Sequence, residues 1–465
     1  MQKMITLRKN QTEPIRKAID FFNAKKSVPS LIVLPTAWGK SILTAFVAKN
    51  MDDKLLVLQP SKELLEQNYK KYLTLCGDDL QVQAGIYSAS FGRRDINKIT
   101  YATIGSIKNF GKLFQQLGFK KMLIDEAHLY PRESDSMIGT FLSESGITHV
   151  LGITATPIKL QQNTDIEGNR FSKLVMLTSR SKKGNFFKEI IHVGQVQEMV
   201  AMGFWSPLRY SAAGFDGSML VFNTSKSEYT DESVQRAFNA NNIHEQIKQQ
   251  LNENSDRHHI LVFVPSVREA IDLSRQYPDS AAIYGDMPKP ERDRAIDDFR
   301  NGKTRVIFNV RVLSTGFDYT GIDCIIFGIS TASIALYYQI VGRGTRIDPG
   351  KKDCLIIDLA GNVDRFGRVE DIVYEKDTLW RMYGTDGKLL SGIPIHHIGT
   401  VTRDDVGRMA AAGPNRMKII EIMPFGKYRG ERIVNIPADY KQWMLNKFDW
   451  NNANENLRQS ILAAI

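Results

Sequence analysis

Three short stretches carry side chains whose types and spacing could do phosphate chemistry. Leu34 to Ser41 reads LPTAWGKS, Leu123 to His128 reads LIDEAH, and Gln339 to Arg346 reads QIVGRGTR. Holding a phosphate takes backbone N–H groups gathered at a helix N-terminus, a cation and a magnesium ligand. In the first stretch Gly39 would allow close backbone approach, Lys40 would reach the β- and γ-phosphates, and Ser41 would ligate magnesium. The strict G-x-x-x-x-G-K-[ST] pattern fails, because Leu34 takes its first place. In the second stretch Asp125 would hold magnesium through water, and Glu126 would orient and deprotonate an attacking water. In the third, charge developing on a phosphate in flight needs cations from across a cleft. Arg343 and Arg346 are three apart, so a helix would put both on one face, and Gln339, four before Arg343, could order the attacking water.

The elements around these stretches predict where they stand. LIVLP (31–35), LLVLQP (55–60), MLIDEAH (122–128) and VLGITATP (150–157) read as buried strands, with helix-length segments such as SILTAFVAKN and SKELLEQNYKKYL between them. Unbroken apolar runs of this kind suit parallel strands covered on both faces. The GKS loop then follows a strand and opens a helix, and Asp125-Glu126 ends a strand at the carboxyl edge where α/β folds bind ligands. The alternation breaks over 159–189, which is polar and basic, and resumes with ILVFVPS (260–266), AAIYGD (281–286), RVIFNV (305–310), CIIFGI (324–329) and CLIIDLAG (354–361). The partition expected is an α/β domain over 1–160, a basic linker or insertion over 161–204, a second α/β domain over 205–365, and an accessory region over 366–465. That region has a hairpin-like turn at YGTDGK (383–388) and a small α+β module at about 420–465.

Composition narrows the class. With 465 residues, 42% hydrophobic and 24% charged, the chain reads as a multidomain globular protein, and its net charge of +10 suits a nucleic-acid partner. The three cysteines, Cys76, Cys324 and Cys354, form no CxxC pair, so neither a structural zinc site nor a disulfide framework is expected. Cys324 and Cys354 sit in apolar runs and read as buried thiols. The start, MQKMITLRKNQ, lacks the apolar core of a signal peptide, and no run approaches the ~18 apolar residues of a membrane span, so a cytoplasmic protein is expected.

Taken together, these stretches resemble the superfamily 2 helicases over nearly all of residues 1–365, with LIDEAH as a DEAH box. The phosphate loop in that family is commonly PTGxGK[ST]; here it is Pro35-Thr36-Ala37-Trp38-Gly39-Lys40-Ser41, so only Ala37 departs. The resemblance implies two tandem RecA-like parallel-sheet domains, with ATP and magnesium as cofactors. LRKNQ would read adenine through Arg8 and Gln11, and Thr36 to Ser41 would hold the phosphates. QPSKELLEQ (59–67) would touch nucleic acid through Pro60, Ser61 and Lys62, and YATIGSI (101–107) through Thr103 and Ser106. TATP (154–157) resembles the motif that couples nucleotide state to domain closure, through Thr154, Thr156 and His128. VFVPSVREA (262–270) would add Pro265 and Ser266 to the nucleic-acid path. In VLSTGFD (312–318), Thr315 and Gly316 would touch the strand, with Gly316 and Asp318 on the nucleotide side.

Within the superfamily the chain is most similar to RadD-like DNA repair helicases, near the XPB and UvsW translocases, mainly through VLSTGFDYTGIDCIIF and YYQIVGRGTRIDPGKKDCLIIDLAGN. That branch carries a cysteine-rich segment after the second domain, and this chain has no cysteine after Cys354. MPFGKYRGERIVNIPADYKQWML resembles a short module at the ends of bacterial and phage proteins, some linked to nucleases. The expected activity is an ATP-driven, monomeric motor on forked or branched DNA, moving 3′ to 5′, in replication, recombination or repair, and in a host's cytoplasm if phage-encoded. An RNA helicase, the motor of a restriction-type nuclease, and a nucleotide-sensing scaffold are the alternatives. Ala37 is expected to avoid a backbone conformation that favours glycine, and Trp38 to point away from the phosphates, over the loop or into the cleft.

Overall fold

Apolar runs too short for helices become the strands of two sheets. The computed structural model describes residues 6–77, 83–130, 136–164, 170–179, 185–224, 228–313, 317, 319–395, 398, 400–411, 422–423, 426–447 and 455–462. Residues 1–399 form one compact unit and 400–465 another.

The first sheet has eight strands: β1 (Ser30–Val33), β2 (Leu55–Gln59), β3 (Ala84–Ser88), β4 (Arg93–Arg94), β5 (Ile99–Thr103), β6 (Lys121–Ile124), β7 (His149–Thr154) and, after a separate hairpin of β8 (Ile158–Thr164) and β9 (Arg170–Met176), β10 (Glu189–Val193). Their order is β10-β1-β7-β6-β2-β5-β3-β4, and only β4 runs antiparallel to its neighbour. β1, β7 and β6 are adjacent and parallel, so the segments leaving their carboxyl ends emerge side by side. Helix α1 (Thr12–Asn23) precedes β1, α2 (Lys40–Lys49) follows it, and α3 (Lys62–Cys76) follows β2.

The second sheet is wholly parallel: β11 (Leu208–Ala212), β12 (Ile260–Phe263), β13 (Ser280–Ile283), β14 (Val306–Asn309), β15 (Cys324–Phe327) and β16 (Cys354–Asp358), ordered β11-β16-β15-β12-β14-β13. After β15 comes the helix Ile334–Gly344, whose N-terminus is capped by Ser333 Oγ accepting from Leu336 N at 3.2 Å. Cys324 and Cys354 are buried in this sheet. Thr315, Gly316 and Asp318, which follow β14 in sequence, lie outside the described residues.

Two segments differ from their sequence reading. Residues 189–193, inside the stretch read as a linker, form β10 and pair in parallel with β1. This strand sits at the sheet's edge and is only partly buried, and Glu189 and His192 break up its short apolar run of Ile190, Ile191 and Val193. Residues 366–399, read with the accessory tail, belong to the first unit. There β17 (Val373–Lys376) and β18 (Trp380–Tyr383) form a hairpin, and Tyr383 to Lys388 makes a further turn. This segment touches both halves of the unit. Tyr374 Oη donates to Ala155 O at 3.2 Å, and its backbone carbonyl accepts from Gln195 Nε2 at 2.7 Å. On the other side Tyr210 Oη donates to Glu370 Oε2 at 2.7 Å, and Tyr337 Oη to Gly367 O at 2.9 Å. Ile372, Tyr374 and Met382 join one continuous apolar core with Leu31, Leu123, Tyr337 and Ile340.

The described residues of the second unit include the helices Arg403–Ala411, Ala438–Lys447 and Glu455–Leu462 and an isolated antiparallel bridge between Ile422 and Arg432. Its core is Met423, Ile433, Ile436, Met444, Leu457 and Ile461. Among the described residues no helix is long and apolar enough to cross a membrane.

Candidate active site

β1 hands over to α2 through the loop Leu34 to Gly39. Gly39 is the N-cap residue, with φ +99°, and a Cβ placed on it would lie 2.8 Å from Gln11 Nε2. Backbone and space both require glycine there. Ala37 also has positive φ, +57°, contrary to the expectation that it would avoid such a conformation. The tight turn into α2 imposes it, at a cost of about 1 kcal/mol for a residue with a Cβ. Trp38 is buried in the core, beside Gly194 at the end of β10. Its carbonyl accepts from Gln11 Nε2 at 2.9 Å, while Gln11 Oε1 accepts from Arg8 N at 2.9 Å. Both ends of the Gln11 amide therefore brace the N-terminal turn against the loop, and the Arg8 guanidinium lies 4.4 Å from the Phe204 ring centre.

β6 ends at Ile124, and Asp125 N still donates to Leu58 O of β2, which fixes the carboxylate at the sheet edge. Asp125 accepts from Asn68 Nδ2 on α3 at 3.1 Å and from Glu126 N at 2.9 Å. Burial, reinforced by the neighbouring Glu126 carboxylate, pushes Asp125 up to about 6. Glu126 sits at φ +47°, ψ +52°, a strained conformation for a residue with a side chain, and its carboxylate pairs with Lys40 Nζ. Burial alone would raise Glu126. The Lys40 ammonium, with the Arg343 guanidinium beyond it, outweighs that effect and holds it below the ordinary range.

His128 links this cluster to the second lobe. Its Nδ1 is 2.9 Å from Thr154 Oγ1 and 3.4 Å from Glu126 Oε2, and its Nε2 is 3.3 Å from Gln339 Nε2. Burial lowers its pKa, so the ring is neutral. A proton on Nδ1 satisfies the network: His128 donates to Thr154 and accepts from Gln339. Thr154 Oγ1 also accepts from Thr156 N at 3.1 Å and donates to Thr156 O at 3.3 Å.

Arg343 Nη1 and Arg346 Nη1 converge on one acceptor, Phe317 O, at 2.8 and 3.0 Å. The shared helix face expected for them is not the reason. The helix ends at Gly344, and Arg346 lies past its C-cap, Thr345. On the same helix Gly342 meets Thr36 so closely that a Cβ there would lie 2.7 to 2.9 Å from three Thr36 side-chain atoms. Trp205 Nε1 donates to Thr36 O at 3.0 Å, which pins the loop from the entry to the second lobe.

The residues expected on the nucleic-acid path follow β2, β5 and β12, and most serve the fold. Ser61, after Pro60, caps α3 by accepting from Leu64 N at 3.3 Å. Lys62 Nζ donates to Ser90 O at 2.9 Å and lies 4.6 Å from the Phe91 ring centre. The hydroxyls of Thr103 and Ser106 are 2.9 Å apart, and Ser106 Oγ accepts from Ala89 N. Ser266, after Pro265, caps the helix Val267–Ser274. Sequence reasoning missed Asn68, Trp205 and Tyr374. The first sits on a helix in register with the sheet edge, and the other two are buried aromatics with a polar tip, which ordinarily seeks a partner.

The donors fit ATP with magnesium. Thr36 Oγ1, Thr156 Oγ1 and Glu126 Oε2 are buried without a hydrogen bond among the described residues, which is costly unless a ligand or its water completes them. Thr36 belongs to the loop that leads to Lys40 at the start of α2, and Glu126 pairs with that ammonium.

Comparison with known proteins adds family information. A family described as "Type III restriction enzyme, res subunit" matches residues 4–159, "Helicase conserved C-terminal domain" matches 239–348, and "Putative quorum-sensing-regulated virulence factor" matches 417–453. The chain is 28% identical over 377 residues to the "Putative mitochondrial ATP-dependent helicase irc3" of Schizosaccharomyces pombe, covering 78% of this chain and 58% of that protein. It is 26% identical over 298 residues to the "Putative DNA 3'-5' helicase Rad25" of Haloarcula marismortui, covering 62% of this chain and 43% of that protein. The chain thus spans about half the length of these relatives. Among solved structures, the "ATP-dependent Type ISP restriction-modification enzyme LlaBIII bound to DNA" superposes with a TM-score of 0.56 at 16% identity, over 77% of this chain and 28% of that one, a likeness of fold.

Proposed function

We propose, from the premise that the chain belongs to the superfamily 2 helicases and consists of two RecA-like domains with a small tail unit, that it is an ATP-driven motor on DNA. The observation that carries this reading is the chain of contacts Lys40–Glu126–His128–Gln339, which runs from the phosphate loop across to the second lobe. Gly39, Lys40 and the first amides of α2 would hold the phosphates, and Ser41 and Asp125 the magnesium. Bound ATP with its magnesium would supply the phosphoanhydride whose cleavage drives the cycle. Lys40 would move from Glu126 to the phosphates, leaving that carboxylate to orient a water and take its proton. Arg343 and Arg346 would leave the Phe317 carbonyl to face the charge that develops at the reacting phosphate. Gln339 would report that event to Thr154 and Thr156 through His128, coupling it to opening and closing of the lobes.

DNA as the track rests on the net charge of +10 and on the DNA named in one relative and one structural neighbour. Movement 3′ to 5′ on forked or branched DNA, in repair or recombination, by a cytoplasmic monomer, completes the reading. Little sequence preference is expected of a grip on the phosphate backbone. A second reading, the motor of a restriction-type system, is favoured by the family description over residues 4–159. ATP hydrolysis measured across single-stranded, duplex, forked and four-way DNA, with RNA as contrast, tests the first. Stimulation by branched or single-stranded DNA supports it, and stronger stimulation by RNA refutes the choice of track. Magnesium-dependent strand cleavage would support the second.

A further inference from the structure

The motor cycle uses no residue of the second unit. That unit has a small apolar core, with Tyr428 and Tyr440 packed partly buried against it, and a chain of ring contacts runs from Tyr428 through Tyr440 to Trp443. Tyr428 and Tyr440 meet edge to face, with centres 4.7 Å apart at 69°. Trp443, one helical turn after Tyr440 on the helix Ala438–Lys447, stacks on Tyr440 at 5.5 Å and 29° and is 52% exposed.

Tyr428 sits in a turn bounded by Gly426 and Gly430, at φ +81° and +90°. The turn holds Lys427 and Arg429, the neighbours of Tyr428 in sequence, in solvent. Lys427 Nζ lies 5.3 Å from the centre of Tyr428. A Cβ at Gly426 would come within 3.2 Å of Tyr440 Oη, so glycine there both permits the turn and lets the second ring approach. Between Gly426 and Lys447 four exposed basic residues, Lys427, Arg429, Arg432 and Lys447, stand against two exposed acidic ones, Glu431 and Asp439, while Lys441 is buried; the excess of positive charge favours an anion.

A lone exposed tryptophan means little. A stacked tryptophan and tyrosine flanked by exposed cations has a defined chemistry: the flat ring accepts a base, and the ammonium and guanidinium accept phosphates. A duplex hides the faces of its bases, so the ligand is an unpaired strand. We propose that Lys427, Tyr428, Arg429, Tyr440 and Trp443 form a second nucleic-acid site, specific for single strands and independent of the two lobes. It goes beyond the motor reading, which places nucleic acid on the lobes alone.

The test uses the full chain. Oligothymidine and oligouridine are titrated against wild type, Trp443→Ala and the double variant Lys427→Glu, Arg429→Glu, over a range of salt, with a hairpin duplex for contrast. Losing one stacked base weakens single-strand binding roughly 5- to 150-fold. The charge reversal flattens the salt dependence by about 1.4 in log–log slope, for two phosphate contacts. Part of the intrinsic fluorescence is quenched by the strand in wild type, and that part disappears in Trp443→Phe, a change that keeps a ring and the fold. The two oligonucleotides tell DNA from RNA as the source of the strand. Wild-type affinity and salt slope in both variants, or duplex bound as tightly as single strand, overturn the proposal and leave the patch to a protein partner. A wild-type chain whose ATP hydrolysis ignores nucleic acid would overturn the motor reading but not this one, because strand binding is read directly.

Discussion

Replacing Gly342 by alanine adds a carbon that would lie 2.7 Å from Thr36 Oγ1 and Cγ2 and 2.9 Å from Thr36 Cβ. Non-bonded carbons settle at about 3.5 to 4.0 Å, so the shortfall is between half an ångström and just over one. Rotating Thr36 moves Oγ1 and Cγ2 but leaves Cβ where the backbone puts it. The helix Ile334–Gly344 and the phosphate loop must therefore separate by about 0.6 Å or more. Gln339 and Arg343 ride on that helix. Misplacing reacting groups by ~1 Å can cost on the order of 10²-fold in rate. Overpacking strain would cost at most about 1–3 kcal/mol of stability. The expected result for Gly342→Ala is thus a fall in kcat of roughly 10²-fold, with nucleotide affinity nearly unchanged, because the phosphate loop belongs to the first lobe. Steady-state ATP hydrolysis at saturating DNA reads the rate, titration of a fluorescent nucleotide reads the affinity, and a thermal melt confirms the fold. Adding Thr36→Gly, which removes the offending Cβ, should restore part of the rate. Hydrolysis by Gly342→Ala at the wild-type rate would mean that the contact with Thr36 does not position the helix, as would an equal loss of nucleotide binding.

Three other outcomes follow from single contacts. Ala37→Gly relieves about 1 kcal/mol of left-handed strain and adds about 0.5–1 kcal/mol of chain entropy to lose, so melting and hydrolysis should stay close to wild type; a complete loss of hydrolysis would contradict the loop geometry. Tyr374→Phe removes the hydrogen bond to Ala155 O and leaves a buried carbonyl unpaired, which should lower stability in a denaturant titration by about 1–3 kcal/mol. Burial holds the folded pKa of His128 below its ordinary 6.5, so the unfolded chain takes up a proton that the folded chain resists. The stabilisation is complete above 6.5 and declines as pH falls from 6.5 toward the folded value; melts at pH 7.5 and 5.5 should show wild type losing more on acidification than His128→Gln.

The parts of the site that were legible in sequence are those set by strand ends. Gly39, Lys40 and Ser41 follow one apolar run and Asp125 and Glu126 end another, so a parallel sheet brings them to one edge. Gln339 and Arg343 are a helical turn apart and share the helix Ile334–Gly344. Cys324 and Cys354, read from their apolar runs, are buried. What stayed hidden depends on contacts between distant residues. Nothing local to Ala37 signals a positive φ, which is imposed by the turn between β1 and α2. Arg346 reaches Phe317 O from beyond its helix, a result of tertiary placement and not of spacing. Gln11 spends its amide on Arg8 and Trp38, and Tyr374 reaches Ala155 from more than two hundred residues away. β3 and β5 are fully or mostly buried, but their glycine, serine, threonine and tyrosine weaken the apolar signal that marks β1 and β2.

Lys40 and Glu126 form the heart of the proposed nucleic-acid-driven ATPase. The most direct test is the rate of ATP hydrolysis with and without DNA for wild type, Lys40→Ala and Glu126→Gln. DNA should raise the wild-type rate, and each variant should lose about 10²- to 10⁴-fold of it, with Glu126→Gln still binding nucleotide. A wild-type rate indifferent to DNA, or variants that hydrolyse ATP as wild type does, would contradict the account.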